Sequence, residues 1–355
     1  MGLAESDPAE PPSRRAAPVA IGAWLLGFVI FAAVGSTLTP WPGEFEVTPK
    51  VEFLREHPGD VNAIYIGKSH VFRSFVPELI DARMAEAGLD FRSFNLGGPG
   101  MSDLEIDHLL RTVLAIEGLQ LDYVFIEVPD WVTFTDENLD TNRAVNWHTL
   151  LQTRRAVGAV FESTPSWVGR AKLAWPHIEL LWLRATGYGQ GKRIVGSLLG
   201  WPEQYPLTPE SVERELGYQA LEGIGTPEIE QRRAHFVYHR NKYPWNLMRI
   251  TARNQAPHDL ERYEFDALAR QIGLIRAAGA RPVYIVPPST VATPHAYALQ
   301  EQGHLPDLMA FNQPEKHPLI YRFDRRFDGH LTSQGAEEFS DLFAQRLLAL
   351  LDRGR

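Results

Sequence analysis

Ile64-Tyr65-Ile66-Gly67-Lys68-Ser69-His70 is an apolar run that stops at a glycine and presents a hydroxyl two residues later. Read outward from it, Val61 to Ile66 has the length and composition of a short buried strand. Pro77 to Gly88 follows as a helix, with Pro77 suited to its first turn and Gly88 to its end. Phe91 to Leu96 is the next strand and runs into Asn95-Leu96-Gly97-Gly98-Pro99-Gly100. Ser102-Asp103-Leu104-Glu105 is a capping-box pattern, and the helix behind it carries Leu109, Leu110, Val113 and Ile116 on one face. Tyr123 to Val128 is a third strand, stopped by Pro129.

After a long gap the alternation resumes. Glu261 to Ala278 has helical spacing and ends at Gly279, Pro282 to Val286 reads as a fourth strand, and Leu319 to Phe323 as a fifth. Phe339, Leu342, Phe343, Leu347 and Leu350 mark one face of a final helix. Strands and helices in alternation predict an α/β fold with a parallel, doubly wound sheet, whose ligands bind beyond the carboxyl ends of the strands. Ser69, the Gly97 to Gly100 turn and Glu127-Val128-Pro129-Asp130 all fall at such ends.

The chain has 355 residues and a formal net charge of −9, with no Lys/Arg cluster that would suggest a nucleic-acid partner. It contains no cysteine, which excludes disulfides, thiol catalysis and thiolate metal sites and fits a bacterial envelope compartment. Between Arg15 and Glu44 there is no charged residue, and Ala16 to Leu38 reaches the roughly 20 residues a spanning helix needs. Arg14 and Arg15 predict a cytoplasmic N-terminal end. The expected organisation is a tail over 1–15, a transmembrane anchor over 16–38, a linker over 39–58 and an α/β domain over 59–355, facing the periplasm or cell exterior. The competing reading is a cleaved signal peptide ending near Ala33-Val34-Gly35.

Residues 131–260 interrupt the alternation as a mainly helical insertion. It holds Trp131, Trp147, Trp167, Trp175, Trp182, Trp201 and Trp245, with Lys172, Arg184, Lys192 and Arg193 in its middle. Two readings stand: tryptophans packed as apolar bulk against the core, or a lid or docking surface for a membrane interface or a sugar polymer.

A serine hydroxyl is a weak nucleophile near neutral pH, so Ser69 needs a base within hydrogen-bond reach and donors aimed at the oxyanion. His330 in Asp328-Gly329-His330 is the best base, because Asp328 would fix its tautomer and stabilise the imidazolium. The Ser69 and Gly100 amides are the expected oxyanion donors, and Asn95 either donates its side-chain amide nearby or pins the turn. His70 lines the pocket or faces away, and Lys68 points away from the nucleophile or answers a carboxylate. Gly67-Lys68-Ser69 is not the end of a P-loop, which would require glycine where Asn62 stands. His235 and His239 have the spacing of a helical metal pair but lack a third ligand, so no metal and no cofactor is expected.

Gly67-Lys68-Ser69, Asn95 to Gly100 with Ser102, and Asp328-Gly329-His330-Leu331 with Gly335-Ala336 resemble the serine, glycine and Asp/His blocks of the SGNH (GDSL-like) hydrolase superfamily. The stretch Ser69 to Pro77 resembles membrane-anchored bacterial members of that group. The resemblance covers residues 59–130 and 261–352. It implies a flavodoxin-like α/β/α domain in which Ser69 is the nucleophile, Gly100 an oxyanion donor, His330 the base and Asp328 its orienter. Relatives of this kind include esterases and O-acetyltransferases of exported polysaccharides, so the expected partners are a glycan or other acylated polymer and a membrane acyl-donor protein. Three positions depart from the pattern. Lys68 stands where an aspartate is usual, Glu127-Val128-Pro129-Asp130 replaces the block that carries a side-chain oxyanion donor, and one residue rather than two separates Asp328 from His330. These departures leave a second reading, a non-catalytic glycan-binding or scaffold protein of the envelope.

Overall fold

The computed structural model describes residues 16–38, 46–129, 139, 142–188, 195, 199 and 207–353. Arg14, Arg15, Asp130, Trp131, Lys192, Arg193, Trp201 and the linker over 39–45 lie outside the described residues.

Five strands form one sheet: β1 (Ala63–Ile66), β2 (Ser93–Asn95), β3 (Tyr123–Glu127), β4 (Arg281–Val286) and β5 (Leu308–Ala310). Their order is β2-β1-β3-β4-β5 and every pairing is parallel. Side chains alternate across the strands. Ile64, Ile66, Val124, Ile126, Tyr284 and Val286 therefore enter one apolar layer, and Tyr65, Phe125, Val283 and Ile285 the other. The first layer is closed by α2 (Thr48–Glu56), α5 (Asp103–Leu114), α12 (Arg262–Ala277) and α13 (Pro294–Glu301), through Leu54, Leu109, Leu110, Ile275 and Leu299. The second is closed by α4 (Pro77–Glu86) and α14 (Ser333–Asp352), through Ile80, Met84, Phe339, Phe343 and Leu347. Each such fully buried side chain contributes about 1.5–3 kcal/mol relative to exposure. Helices on both faces of an all-parallel sheet are consistent with a doubly wound fold. The chain leaves β1 for β2 on one side and returns to β3 on the other, so the strand order reverses at β1 and β3, where such sheets form a ligand crevice.

Local signals in the sequence are met closely. Ser102 and Glu105 form the reciprocal capping box at the start of α5, and Thr332 caps α14 by accepting from the Gly335 amide. Gly88 and Gly279 take the left-handed backbone, at φ +77° and +86°, that ends the helices before them.

Two expectations need correction. The fifth strand is Leu308–Ala310 and not Leu319 to Phe323, which forms a turn with Leu319 exposed and Ile320 and Tyr321 buried. A three-residue strand between Pro306 and Pro314 is too short to show a period. Residues 39–58 are not all linker, since α2 occupies Thr48–Glu56. Pro49 sits in its first turn, where the missing N–H costs nothing.

The N-terminal helix α1 (Ala16–Leu38) is 23 residues long and carries no charge, and Val19, Ile21, Trp24 and Leu26 on it are exposed. Among residues whose side chains are described, no helix is long and apolar enough to cross a membrane.

The described part of the insertion is helical: α6 (Asn142–Trp147), α7 (Leu150–Ser163), α8 (Trp167–Thr186), α9 (Pro209–Glu215), α10 (Pro227–Tyr238) and α11 (Tyr243–Asn254). Of its described tryptophans only Trp147 is buried, while Trp167, Trp175, Trp182 and Trp245 are exposed. The insertion also covers the outer edge of β2, where the Asn95 amide donates to the Leu216 carbonyl at 2.9 Å.

Inside the insertion a buried His148 ring bridges the Ala144 carbonyl at 2.6 Å and His177 Nδ1 at 2.9 Å. The carbonyl can only accept, so His148 donates from Nδ1 and accepts at Nε2. A second proton there would face the His177 N–H. Burial, together with His177 and Arg184, lowers His148 to about 3, and burial with Arg184 lowers His108 to about 4. The unfolded chain takes up these protons below the ordinary value of 6.5, so stability rises with pH between the two values and is lost as pH falls through that window. Acid titration followed by Trp fluorescence is expected to show the insertion loosening between pH 6.5 and about 3. In His148→Phe the same titration is expected to be flatter.

Candidate active site

Ser69 begins α3 (Ser69–Phe72), three residues past the end of β1. Two glycines let the chain turn this tightly. A Cβ on Gly67 would meet Glu127 Oε2 at 2.6 Å, and one on Gly97 would meet Phe72 Cα at 2.7 Å. The serine turn and the glycine turn therefore pack backbone to backbone, and the Glu127 side chain at the end of β3 lies against Gly67, as bulkier residues would forbid.

His330 reaches Ser69 from 261 positions further along the chain, with Nε2 at 2.8 Å from the Ser69 Oγ. Its Nδ1 lies 2.8 Å from Asp328 Oδ1, and the same oxygen accepts the His330 backbone N–H at 2.8 Å. That second bond is an Asx-type turn, available because a single residue separates the two. The short spacing thus still permits a hydrogen-bonded Ser–His–Asp chain. It also leaves Asp328 Oδ2 for Arg232 on α10, whose Nη2 pairs with it and lies 3.4 Å from His330 Nδ1. Burial alone would push the Asp328 carboxyl up, but the hydrogen bonds and charge of His330, with Arg232, hold it well below the ordinary carboxylate range. Asp328 is therefore a fixed anion beside the imidazole.

The turn carrying Asp328 is held from beneath. Arg326 and Leu331 form an antiparallel bridge around it. The fully buried Arg326 guanidinium donates to the Pro288 carbonyl at 3.0 Å and the Gly329 carbonyl at 3.1 Å. Arg233, next to Arg232, donates to the Arg326 and Phe327 carbonyls at 2.5 and 2.6 Å.

The other expected site residues divide. His70 stacks on the His330 ring, centroids 4.6 Å apart at 20°. Burial, then the neighbouring His330 and Arg326, keep His70 well below the ordinary histidine range, so it packs as a neutral ring. Lys68 turns its ammonium to Asp103 at 3.1 Å, and its amide donates to Glu127 Oε2 at 2.5 Å. The side chain of Lys68 is thus answered by Asp103 and its backbone by Glu127. Burial raises the Glu127 carboxyl, with Lys68 opposing.

Asn95 takes the structural alternative and is not an oxyanion donor. It is fully buried, donates to the Val71 and Phe75 carbonyls at 3.1 and 2.8 Å, and accepts from the Gly97 amide at 2.9 Å. Its hydrogen bonds go to the backbone that follows Ser69, tying α3 to the glycine turn. Gly100 is exposed at the end of that turn, with φ +59°.

Two cations that the sequence reading did not single out orient this turn. Lys50 on α2, fully buried, donates to the Gly97 carbonyl at 2.8 Å and lies 3.8 Å from the Phe72 ring centroid. Burial, followed by Arg73, pushes its ammonium well below the ordinary lysine range, with Glu46 opposing. Arg143 on α6 donates to the Pro99 carbonyl and pairs with Glu105. In a trans peptide the C=O and N–H point in opposite directions. Drawing the Pro99 carbonyl toward Arg143 therefore aims the Gly100 N–H the other way.

Among the described residues no cluster of His, Asp and Glu could hold a metal ion. His235 and His239 are ring neighbours at 4.4 Å without a third ligand. A scan against protein-family models finds no match, and no curated protein matches the chain.

Proposed function

We propose that this chain is a serine esterase or O-acyltransferase of SGNH type, acting on O-acyl groups of an exported glycan through an acyl-Ser69 intermediate. The observation that carries the reading is the continuous hydrogen-bonded chain Ser69 Oγ, His330 Nε2, His330 Nδ1 and Asp328 Oδ1, with 2.8 Å at both links. In the proposed reaction Ser69 Oγ attacks the ester carbonyl while its proton passes to His330 Nε2, and Asp328 stabilises the imidazolium. The C–O bond to the leaving alcohol then breaks, and His330 returns the proton to the departing oxygen. Water or a sugar hydroxyl next attacks the acyl-serine, giving its proton to His330, and Ser69 leaves reprotonated. Hydrolysis and transfer differ only in that second nucleophile.

The membrane anchor belongs to the same proposal. It is supported by the uncharged length of α1, by its exposed apolar side chains and by Arg14 and Arg15 before it. An anchored, outward-facing enzyme would draw its acyl group from a membrane donor protein and pass it to a polymer.

The test is to mix the full chain in detergent with p-nitrophenyl acetate, quench, and map the acetyl group by peptide mass spectrometry. Acetyl on Ser69, released faster when an oligosaccharide acceptor is added, supports transfer; release insensitive to acceptor supports hydrolysis. Absence of acetyl on Ser69 under conditions that preserve the fold overturns the reading and leaves the binding or scaffold alternative.

A further inference from the structure

One line of hydrogen bonds joins Lys50 to Glu127 across the ends of three strands. Lys50 Nζ on α2 donates to the Gly97 carbonyl at 2.8 Å. The Gly98 N–H, on the opposite side of that peptide unit, donates to the Gly67 carbonyl at 3.0 Å. The Lys68 N–H, on the opposite side of the second unit, donates to Glu127 Oε2 at 2.5 Å. Two peptide units are thereby threaded head to tail, one from the glycine turn beyond β2 and one from the serine turn beyond β1. An amino group closes the line at one end, and the carboxyl at the end of β3 closes it at the other. Lys50 is fully buried, and Gly67, Gly97 and Gly98 are buried with it. In such surroundings hydrogen bonds in series polarise one another, so each link strengthens the next. Burial disfavours the charge at both ends, lowering the Lys50 ammonium and raising the Glu127 carboxyl; Arg73 lowers Lys50 further, while Glu46 opposes at Lys50 and Lys68 at Glu127. A row of peptide dipoles with its carbonyl end on the amine and its N–H end on the carboxyl acts in favour of both charges.

We propose that Lys50 and Glu127 form a single positioning unit that holds the two expected backbone oxyanion donors, the Ser69 and Gly100 amides, in fixed register. This role rests on the esterase or acyltransferase reading and adds to it two residues that act through the backbone rather than on the substrate. The unit 67–68 comes one peptide before the Ser69 amide, and the unit 97–98 comes two before the Gly100 amide. The Lys68 carbonyl, opposite the Ser69 N–H, accepts from the Val71 and Phe72 amides at 3.0 and 3.1 Å, so the Ser69 amide is fixed between α3 and the line. The chemistry of the site calls for such a device. Asn95 spends its side chain on the backbone, and Glu127 stands in the block where a side-chain oxyanion donor is usual. The charge that develops on the carbonyl oxygen then falls to amides, whose effect depends on their being aimed before the reaction begins. Those amides come from turns that follow different strands, and the Gly98–Gly67 bond between the turns, loaded from both ends, is what keeps them together.

The experiment compares wild type, Glu127→Gln, Lys50→Met and the double variant as full-length proteins in detergent, isotope-labelled in their glycine and lysine amides for NMR. Removing either end is expected to move the amide protons of both Gly98 and Lys68 upfield. Glu127→Gln thus reaches Gly98, and Lys50→Met reaches Lys68, each through the line of bonds. In steady-state turnover of p-nitrophenyl acetate each single variant is expected to lose about tenfold or more in kcat with KM nearly unchanged. The double variant should lose little more than either single one, because the two residues act as one unit. Glutamine keeps the shape and the acceptor oxygen of glutamate, so Glu127→Gln carries both readouts even where Lys50→Met, at a buried position, does not fold. Shifts confined to the amide beside the altered side chain, a rise in KM with kcat kept, or losses that multiply in the double variant overturn the proposal. Labelling of wild-type Ser69 by a fluorophosphonate probe is read separately. Labelling without the long-range shifts defeats the positioning unit and leaves the enzyme; long-range shifts without labelling or turnover defeat the enzyme reading and the positioning role with it.

Discussion

Replacing Ser69 by alanine is expected to abolish both fluorophosphonate labelling and acetyl transfer from p-nitrophenyl acetate, with kcat falling by about 10⁴-fold or more. The effect is large because the arrangement around Ser69 serves one atom. His330 Nε2 has its 2.8 Å partner in the Ser69 Oγ, and the imidazole is held on its other side by Asp328 and stacked on one face by His70. Removing the oxygen leaves the imidazole without the hydroxyl it would deprotonate. The fold should survive, since Ser69 is only half-buried and its backbone, not its side chain, makes the α3 hydrogen bonds. Unchanged circular dichroism with lost labelling is the expected pair of results. Retained labelling would remove Ser69 from the mechanism.

Asp328→Asn is expected to lower kcat by about 10⁴-fold while barely altering the shape of the site. Two donors compete for the one amide oxygen of asparagine, the Arg232 guanidinium on the Oδ2 side and the His330 backbone N–H on the Oδ1 side. Where the charged guanidinium takes the oxygen, the amide nitrogen turns toward His330 Nδ1. His330 would then have to accept at Nδ1 and carry its proton on Nε2, facing Ser69, where it cannot act as a base. Arg232→Gln added to Asp328→Asn relieves that constraint, because glutamine can present either a donor or an acceptor. The double variant should recover part of the loss, about tenfold, in steady-state kcat. Additive damage instead would show that Arg232 has no hold on the tautomer.

Much of this site is legible in the sequence. Ser69 follows an apolar run with the length and composition of a short buried strand, and His330 lies two residues after an aspartate, just ahead of a capped helix. Those are local patterns of burial and hydrogen bonding, and neighbours in sequence enforce them. Asn95 marks where local reading stops. Its type and its place before a glycine turn suit an oxyanion donor and a backbone pin equally, and only the Val71 and Phe75 carbonyls, brought to it by the packing of α3, decide between them.

By itself the sequence determined the alternation of strands and helices, the helix caps at Ser102 and Thr332, the serine and glycine segments at strand ends, and the Asp-Gly-His segment just ahead of the last helix. Hydrophobic period, turn chemistry and capping act over a few residues and are written in one stretch of chain. The tertiary structure alone decided that Arg232 holds the second oxygen of Asp328, that Lys50 and Arg143 donate to the Gly97 and Pro99 carbonyls, and that Leu308–Ala310 closes the sheet. Each of these depends on groups many residues apart meeting in a buried or half-buried place. There the cost of leaving a charge or a carbonyl unpaired selects the partner, and no local pattern records which distant residue supplies it.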